Sequence, residues 1–345
     1  MEGNQYIRKA HSMFGWDWGP QLPDMGIWRD IYIDSYEKAE LSDLHIRQEH
    51  KGGKVLLSAE TKVMLPEKAQ DGEIAEAEYL VLPQSAESNA RILKESVGNN
   101  DSTLAENAET ADSLEVKITL QTPDGKQLSF SDGKCLVEDP KLWWPNGYGT
   151  QPLYTVCAEL FLGEEFLDAK ELRIGLRTLT VSQDKDAWGE EFAFCVNGVK
   201  IFAKGADYIP EDCIYSKITP ERIYELLDTA VACHFNCIRV WGGGYYPADV
   251  FYDHCDEHGL IVWQDFMYAC NVYELTEELR ESITEETKDN AGRLRHHASL
   301  GLWCGNNEME SAWDHWGGFN DHSDALKQDY LAMFEKLIPE ALKSE

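Results

Sequence analysis

The sequence predicts a multidomain protein of the β and α/β classes, a β-sandwich followed by a series of βα units. Three observations predict it. The 345 residues suit two or three domains rather than one. Residues 37 to about 182 form strand-length apolar or alternating runs separated by turn formers. From about residue 183 the rhythm changes to strand, loop, helix and repeats four times, which implies parallel strands.

Residues 1–36 make no core of their own. Phe14 to Pro20 is dense in aromatics and turn formers, Ile27 to Ser35 reads as a strand, and the segment is expected to be the tail of another domain. In the sandwich, Lys54 to Ala59, Leu114 to Leu120, Leu153 to Leu160 and Glu171 to Val181 read as strands. Thr122-Pro123-Asp124-Gly125 is a turn, because Pro presets φ and Gly accepts positive φ. Residues 66–112 hold eleven acidic against three basic residues and read as an acidic, mobile insertion with a short strand near Tyr79 to Leu82.

Within 183–345, Val199 to Ala203 is the expected first strand. Thr219-Pro220-Glu221 starts a helix with a capping hydroxyl, a first-turn Pro and an acid. Cys237 to Val240 is the second strand, and Asp249 to His258 a helix closed by Gly259. Leu260 to Trp263, a polar helix over Leu275 to His297, the strand Leu300 to Cys304 and a helix over Ala325 to Leu342 follow. Short apolar strands separated by helices are what a (β/α)8 barrel needs; here four of the eight units are read.

The net charge of −31, without a basic stripe, disfavours nucleic acid and anionic membranes as partners. No run of 18 apolar residues occurs, and the first nine residues contain no apolar leader core. Nine cysteines without a CxxC pair, five of them (Cys135, Cys157, Cys195, Cys237, Cys304) in apolar strand-like runs, suit free thiols and a cytoplasmic setting. Eleven Trp and fifteen Tyr suit either packed cores or the faces of sugars.

In a βα barrel the chemistry gathers where strands end. The strand ends here offer Lys204 to Pro210, Arg239 with Trp241 to Tyr245, Gln264 to Met267, and Trp303 to Glu308. Glu308 is the sharpest candidate. A glycosidic oxygen leaves only with a proton, which a carboxylic acid supplies while a second carboxylate attacks or activates water. Asn307 beside it can bond a sugar hydroxyl. A Glu that merely starts a helix is the other reading, and spacing leaves both open.

Several longer segments resemble one family. Asn307-Glu308 after a fourth strand resembles the acid/base signature of the retaining glycosidase clan that includes glycoside hydrolase family 2. Leu142-Trp143-Trp144-Pro145-Asn146-Gly147-Tyr148-Gly149 and Arg173-Ile174-Gly175-Leu176-Arg177 are similar to that family's sandwich segments. Phe14 to Pro20 with Gly26 to Arg29, Trp241 to Gly244 and Gln264 to Cys270 resemble its β-mannosidase branch. The resemblance covers most of the chain apart from 60–112.

It implies the tail of a sugar-binding jelly-roll-like domain over 1–36, an immunoglobulin-like β-sandwich over 37–182, and the first half of a TIM (β/α)8 barrel over 183–345. It also implies a retaining exo-β-mannosidase acting on a mannose-containing oligosaccharide, with no cofactor and no metal. Glu308 would be the acid/base and Asn307 would bond the sugar 2-OH. Asp17 and Trp18 would reach the terminal-sugar subsite and Trp241 would line it, with Asp207 and Asp265 as further substrate-binding candidates. The chain departs from the pattern at Asp207, where Asn is expected, and at Met309, where a polar residue is expected. The family's nucleophile follows a seventh strand and is absent from this chain. The fragment alone is therefore expected to be inactive, and self-association or a complementing fragment is the expected partner.

The alternatives are another family 2 activity (galactosidase, glucuronidase or exo-glucosaminidase) and a non-catalytic carbohydrate-binding remnant. His254 and His258 have the i,i+4 spacing of a zinc pair, but the intervening Cys255-Asp256-Glu257 fails the HExxH pattern. His296-His297 reads as helix-end chemistry. Gly242 to Gly244 lacks the spacing of a phosphate loop. Trp313 and Trp316 either stack on a sugar or pack.

Overall fold

The computed structural model describes residues 6–65, 78–81, 91–93, 114–316 and 324–345. Most of the expected acidic insertion lies outside these residues. The described chain divides into two compact units, one over 32–142 and 152–176, the other over 1–31, 143–151 and 177–345. The segment Trp143–Gln151 therefore belongs with the second unit, although it lies inside the 37–182 span.

The first unit is two antiparallel sheets around one core. One sheet contains β3 (Glu40–Lys51), β4 (Lys54–Leu65), β5 (Glu78–Val81) and β6 (Arg91–Leu93) in that order, with β9 (Lys134–Val137) also paired to β4. The other has the order β11 (Glu165–Ile174), β10 (Tyr154–Leu162), β7 (Leu114–Gln121), β8 (Gln127–Ser129). Alternation decides which side chains meet. Val55, Leu57, Ala59, Val63 and Leu65 of β4 face Ile118, Leu120, Val156, Ala158 and Leu160 in a single buried cluster. Thr122 N–H donates to Lys126 O across the expected turn, with Gly125 at φ +83°.

The second unit begins with a small hairpin, β1 (Phe14–Trp16) and β2 (Gly19–Gln21). The strand expected over Ile27 to Ser35 is not formed; Ile27 and Ile33 are exposed, and no described segment pairs with this stretch. A strand requires a neighbour to take its N–H and C=O groups. The run expected over Glu171 to Val181 is broken, with β11 ending at Ile174 and β12 (Leu179–Ser182) joining β13 (Ala193–Val196) and β14 (Val199–Ile201) in an antiparallel sheet of the second unit.

That pairing corrects the expected first βα strand. Val199–Ile201 belongs to the antiparallel sheet, and the first parallel strand is β15 (Gly205–Tyr208). β15, β16 (Cys237–Val240), β17 (Ile261–Asp265) and β18 (Leu300–Cys304) form a four-stranded parallel sheet in sequence order. Gly205 is required by close approach: a Cβ there would stand 1.8 Å from Cys237 O.

Helices α1 (Pro220–Ala232), α2 (Asp249–His258) and α3 (Glu277–Leu294) connect these strands. Thr219 Oγ1 accepts from Arg222 N–H and caps α1; Thr276 Oγ1 accepts from Leu279 N–H and caps α3. Ile223 and Leu227 of α1 pack with Ile238, Val240, Phe251, Cys255 and Val262. The last helical stretch runs as α4 (Asp324–Ala332), a π segment Met333–Leu337, and α5 (Ile338–Ser344). The wider turn precedes Pro339, which has no N–H to give to the preceding turn. No described helix is long and apolar enough to cross a membrane. All nine cysteines are free; Cys135 and Cys237 are buried, whereas Cys157, Cys195 and Cys304 are half-buried.

Candidate active site

Strands β15 to β18 end together, and their ends deliver the predicted side chains. Arg239 on β16 stands at the centre. Its Nε and Nη2 donate to Asp265 Oδ1 at 3.1 Å and Oδ2 at 2.6 Å, and Nη2 also donates to Asn307 Oδ1 at 2.8 Å. Its Nη1 lies 3.5 Å from Asp207 Oδ1 on β15. Asp207, Arg239, Asp265 and Asn307 thus come from four strand ends into one network. Burial opposes the Arg239 charge, but the Asp265 and Asp207 carboxylates more than offset it and raise its pKa.

Asp265, expected at the sugar, is instead fully buried. Both its oxygens are engaged by Arg239, and Oδ2 also accepts from Gly242 N–H at 3.0 Å. Burial raises its pKa against the pull of Arg239. It holds the guanidinium rather than facing a ligand. Gly242 is needed for this approach, since a Cβ there would meet Phe266 O at 2.7 Å.

Asn307 is buried and Glu308, next to it, is exposed. The backbone produces this contrast. Asn307 N–H donates to Tyr268 O and Asn307 O accepts from Cys270 N–H, a parallel bridge to the loop after β17. On either side of this bridge stand two non-glycine residues with positive φ, Cys270 at +47° and Glu308 at +57°. Such conformations cost about 1–2 kcal/mol each and persist where surrounding bonds enforce them. Glu308 is thereby turned outward from a fixed neighbour. Cys270 Sγ accepts from Asn307 Nδ2 at 3.4 Å and lies 3.8 Å from Glu308 Oε2. Burial and the Glu308 charge push the Cys270 thiol up to about 11, so it stays a neutral donor.

The β1–β2 hairpin pairs Trp16 with Gly19, which leaves Asp17 and Trp18 at its tip, both exposed. Trp16 and Trp18 meet buried Trp241 in T-shaped contacts, with ring centroids 4.8 and 5.9 Å apart. Trp18 and Trp241 are therefore brought together. Trp313 is buried and packs on Tyr330; the side chain of Trp316 lies outside the described residues.

Residues outside the predicted set support this arrangement. His11 is buried, its Nδ1–H donating to Ala269 O and its Nε2 accepting from Tyr273 OH, each at 2.8 Å. Burial lowers its pKa to about 4. Arg8 forms a two-pronged pair with Glu286, donates to Met267 O and lies over the Tyr268 ring. Both hold the loop that bridges to Asn307. Neither is visible in a single sequence, because their segment has no periodicity and their partners lie more than 250 residues away. Glu211, just beyond the quoted Lys204–Pro210 run, accepts from the hydroxyls of Tyr208 and Tyr245 and has its pKa raised by burial.

His297, expected in helix-end chemistry, is instead buried against Asp256, its Nδ1–H donating to Oδ2 at 2.7 Å. A cavity of about 850 Å³ is lined by Trp28, Arg29, Tyr245, Tyr246 and Arg293 among others, but by none of the predicted site residues. At the strand ends an exposed carboxylate, Glu308, stands beside a buried amide, Asn307, that Arg239 holds.

The family model described as "Glycosyl hydrolase 2 galactose-binding domain-like" matches residues 1–29, and the "Glycosyl hydrolases family 2" model matches residues 39–177. The chain is 35% identical over 356 residues to Beta-mannosidase B of Emericella nidulans, and 36% identical over 344 residues to that of Aspergillus fumigatus. Each match covers 98% of this chain and 37% of the relative, so the chain spans little more than a third of those proteins. Among solved structures, a β-D-mannosidase of Dictyoglomus thermophilum superposes with a TM-score of 0.75 at 30% identity, over 98% of this chain and 37% of that one. An exo-chitosanase of Amycolatopsis orientalis shares the fold at a TM-score of 0.61 and 16% identity, over 93% of this chain and 32% of that one.

Proposed function

Because this chain belongs to the family 2 glycosyl hydrolases, we propose that it carries the acid/base half of a retaining exo-β-mannosidase. In this reading the antiparallel sandwich is immunoglobulin-like and the parallel sheet is the first half of a TIM barrel. The observation that carries it is the pair Asn307-Glu308 at the end of β18, a buried amide held by Arg239 beside an outward-turned carboxyl.

Glu308 protonates the departing glycosidic oxygen and afterwards takes a proton from the attacking water. Asn307, with its Oδ1 held by Arg239, presents its Nδ2 to the sugar 2-OH. Trp18 at the hairpin tip offers its ring to the terminal sugar with buried Trp241 packed behind it, and Asp17 offers a carboxylate to the sugar hydroxyls. Asp207 holds Arg239 from β15.

The reaction also needs a nucleophile about 5 Å from the acid. Asp265 does not serve, because it is buried beneath Arg239. The 345-residue chain alone is accordingly proposed to be inactive. Its parallel sheet has β15 and β18 as its outer strands, so association with a complementing segment or a second copy is its proposed route to stability.

Two assays test this reading. The chain is incubated with an aryl β-mannoside beside its Glu308→Gln variant; robust turnover that vanishes in the variant would overturn the inactivity. In a protein of the relatives' full length, Glu308→Ala loses about 10²-fold or more on disaccharides, but far less on aryl mannosides with good leaving groups. Azide rescues the latter as the β-azide. Equal losses on both substrates reject Glu308 as the acid.

A further inference from the structure

Away from the Arg239 network, the second unit holds another cluster of ligating side chains. His254 and His258 lie one turn apart on α2 and share a face, with ring centroids 4.0 Å apart. Their spacing is that of a zinc pair, although the residues between them fail the HExxH pattern. The fold supplies a third ligand from α1: His254 Nε2–H donates to Asp228 Oδ1 at 2.7 Å. One ligand atom from each of Asp228, His254 and His258 lies within 4.8 Å of the others. His258 Nδ1–H donates to the His254 carbonyl at 3.0 Å, which leaves its ring lone pair on Nε2. Tyr224 stacks on the His254 ring at 4.9 Å and limits its rotation.

We propose that Asp228, His254 and His258 form a binding site for one divalent transition ion of the zinc class. Two imidazole nitrogens and one carboxylate oxygen are a donor set that such ions favour, with water in the fourth position. Magnesium and calcium, which take oxygen ligands, do not suit it. Bonds of about 2.1 Å place tetrahedral donors about 3.4 Å apart. The Asp228 side chain is 59% exposed and free to swing into that spacing. On coordination His254 gives up its Nε2 proton or shifts it to Nδ1, and the ion replaces the hydrogen bond as the link between α1 and α2.

The other cluster of this kind among the described residues, Asp253, Asp256 and His297, does not compete. Asp256 is buried with its two oxygens taken by Ser299 N–H and His297 Nδ1–H, an internal tie rather than a ligand face.

The test is titration of the chelator-stripped protein with Co(II) and then Zn(II). The expected result is one Co(II) per chain with visible d–d bands and no thiolate charge-transfer band, which separates this site from the nine cysteines. Zn(II) displaces it and raises the melting temperature. His258→Gln and Asp228→Asn each weaken binding about tenfold or more. Asp228 is exposed, so Asp228→Asn decides the matter if His258→Gln folds poorly. Unchanged affinity in Asp228→Asn, or a spectrum dominated by thiolate ligation, overturns the proposal and leaves the stacked histidines as helix-end packing.

Discussion

Arg239 donates to Asp265 and Asn307 at once, and Asp265 has no contact with solvent. Truncating the guanidinium leaves a buried carboxylate without its counter-charge, a loss of about 3–5 kcal/mol when one partner of such a pair is removed. Arg239→Ala is therefore expected to lower the denaturation free energy by about 3 kcal/mol. Arg239→Lys recovers little, because a single ammonium cannot reproduce the two-pronged geometry. Denaturant titration measures both, and a lysine variant as stable as the parent would count against this role. His11 sets a pH dependence. Its folded pKa is depressed from 6.5 to about 4, so the unfolded chain binds the proton first as pH falls. The stability it contributes is present above pH 6.5 and is lost between 6.5 and about 4, worth up to about 3 kcal/mol. Protonation also ends the Tyr273 hydroxyl's bond to Nε2. His296, likewise lowered to about 4 by burial, adds a loss in the same window. Stability measured across this range should fall less steeply in His11→Gln than in the parent; identical slopes would remove His11 from the account.

At the scale of elements, α2 and its closure show how one position commits a chain path. Gly259 adopts φ +74° and ψ +34° and ends α2, its N–H bonding Cys255 O. Its carbonyl accepts from Asn146 N–H, and a Cβ would approach that nitrogen to 2.5 Å. Gly259→Ala therefore combines left-handed strain with a backbone collision, unlike an ordinary cap where the strain alone applies. The expected cost is about 2 kcal/mol or more, read as a drop in melting temperature. A near-neutral substitution would mean that the Trp143–Gln151 segment shifts freely against α2. The fixed indole of Trp143, which donates to Asp256 O at 2.7 Å, argues that it does not.

Across the whole molecule the charge is the dominant feature. With 62 acidic and 31 basic side chains, the acids outnumber the cations two to one, so added salt acts mainly by screening repulsion. The pairs that do form are largely exposed, such as Arg47–Glu60 and Lys141–Asp124, and each is worth at most about 1 kcal/mol. Raising ionic strength from about 0.01 to about 0.15 M, which shortens the screening length from about 30 to about 8 Å, should raise the melting temperature. A fall on adding salt would show that attractive pairs outweigh the net repulsion.

Local pattern determined much of this protein. The strand Leu300–Cys304, the helix Asp249–His258 with its glycine stop, and the Thr219–Pro220 helix start lie where the sequence places them, because caps, turn residues and apolar periodicity act over a few residues. The adjacency of Asn307 and Glu308 is likewise local and legible as a candidate for chemistry, whereas the role proposed for the pair rests on the family resemblance. Tertiary structure decided what depends on a distant partner. Val199–Ile201 is apolar enough for either sheet, and its pairing with β13 rather than β16 settled where the parallel sheet begins. Asp265 reads as a site carboxylate until Arg239, 26 residues earlier, covers it. Ile27 to Ser35 has the composition of a strand and no described partner to make it one. Asp228 joins His254 and His258 only because α1 packs beside α2. Composition and periodicity specify which face of an element is buried; they carry no address for the group that will meet it, and pairing, charge neutralisation and ligand sets are properties of that meeting.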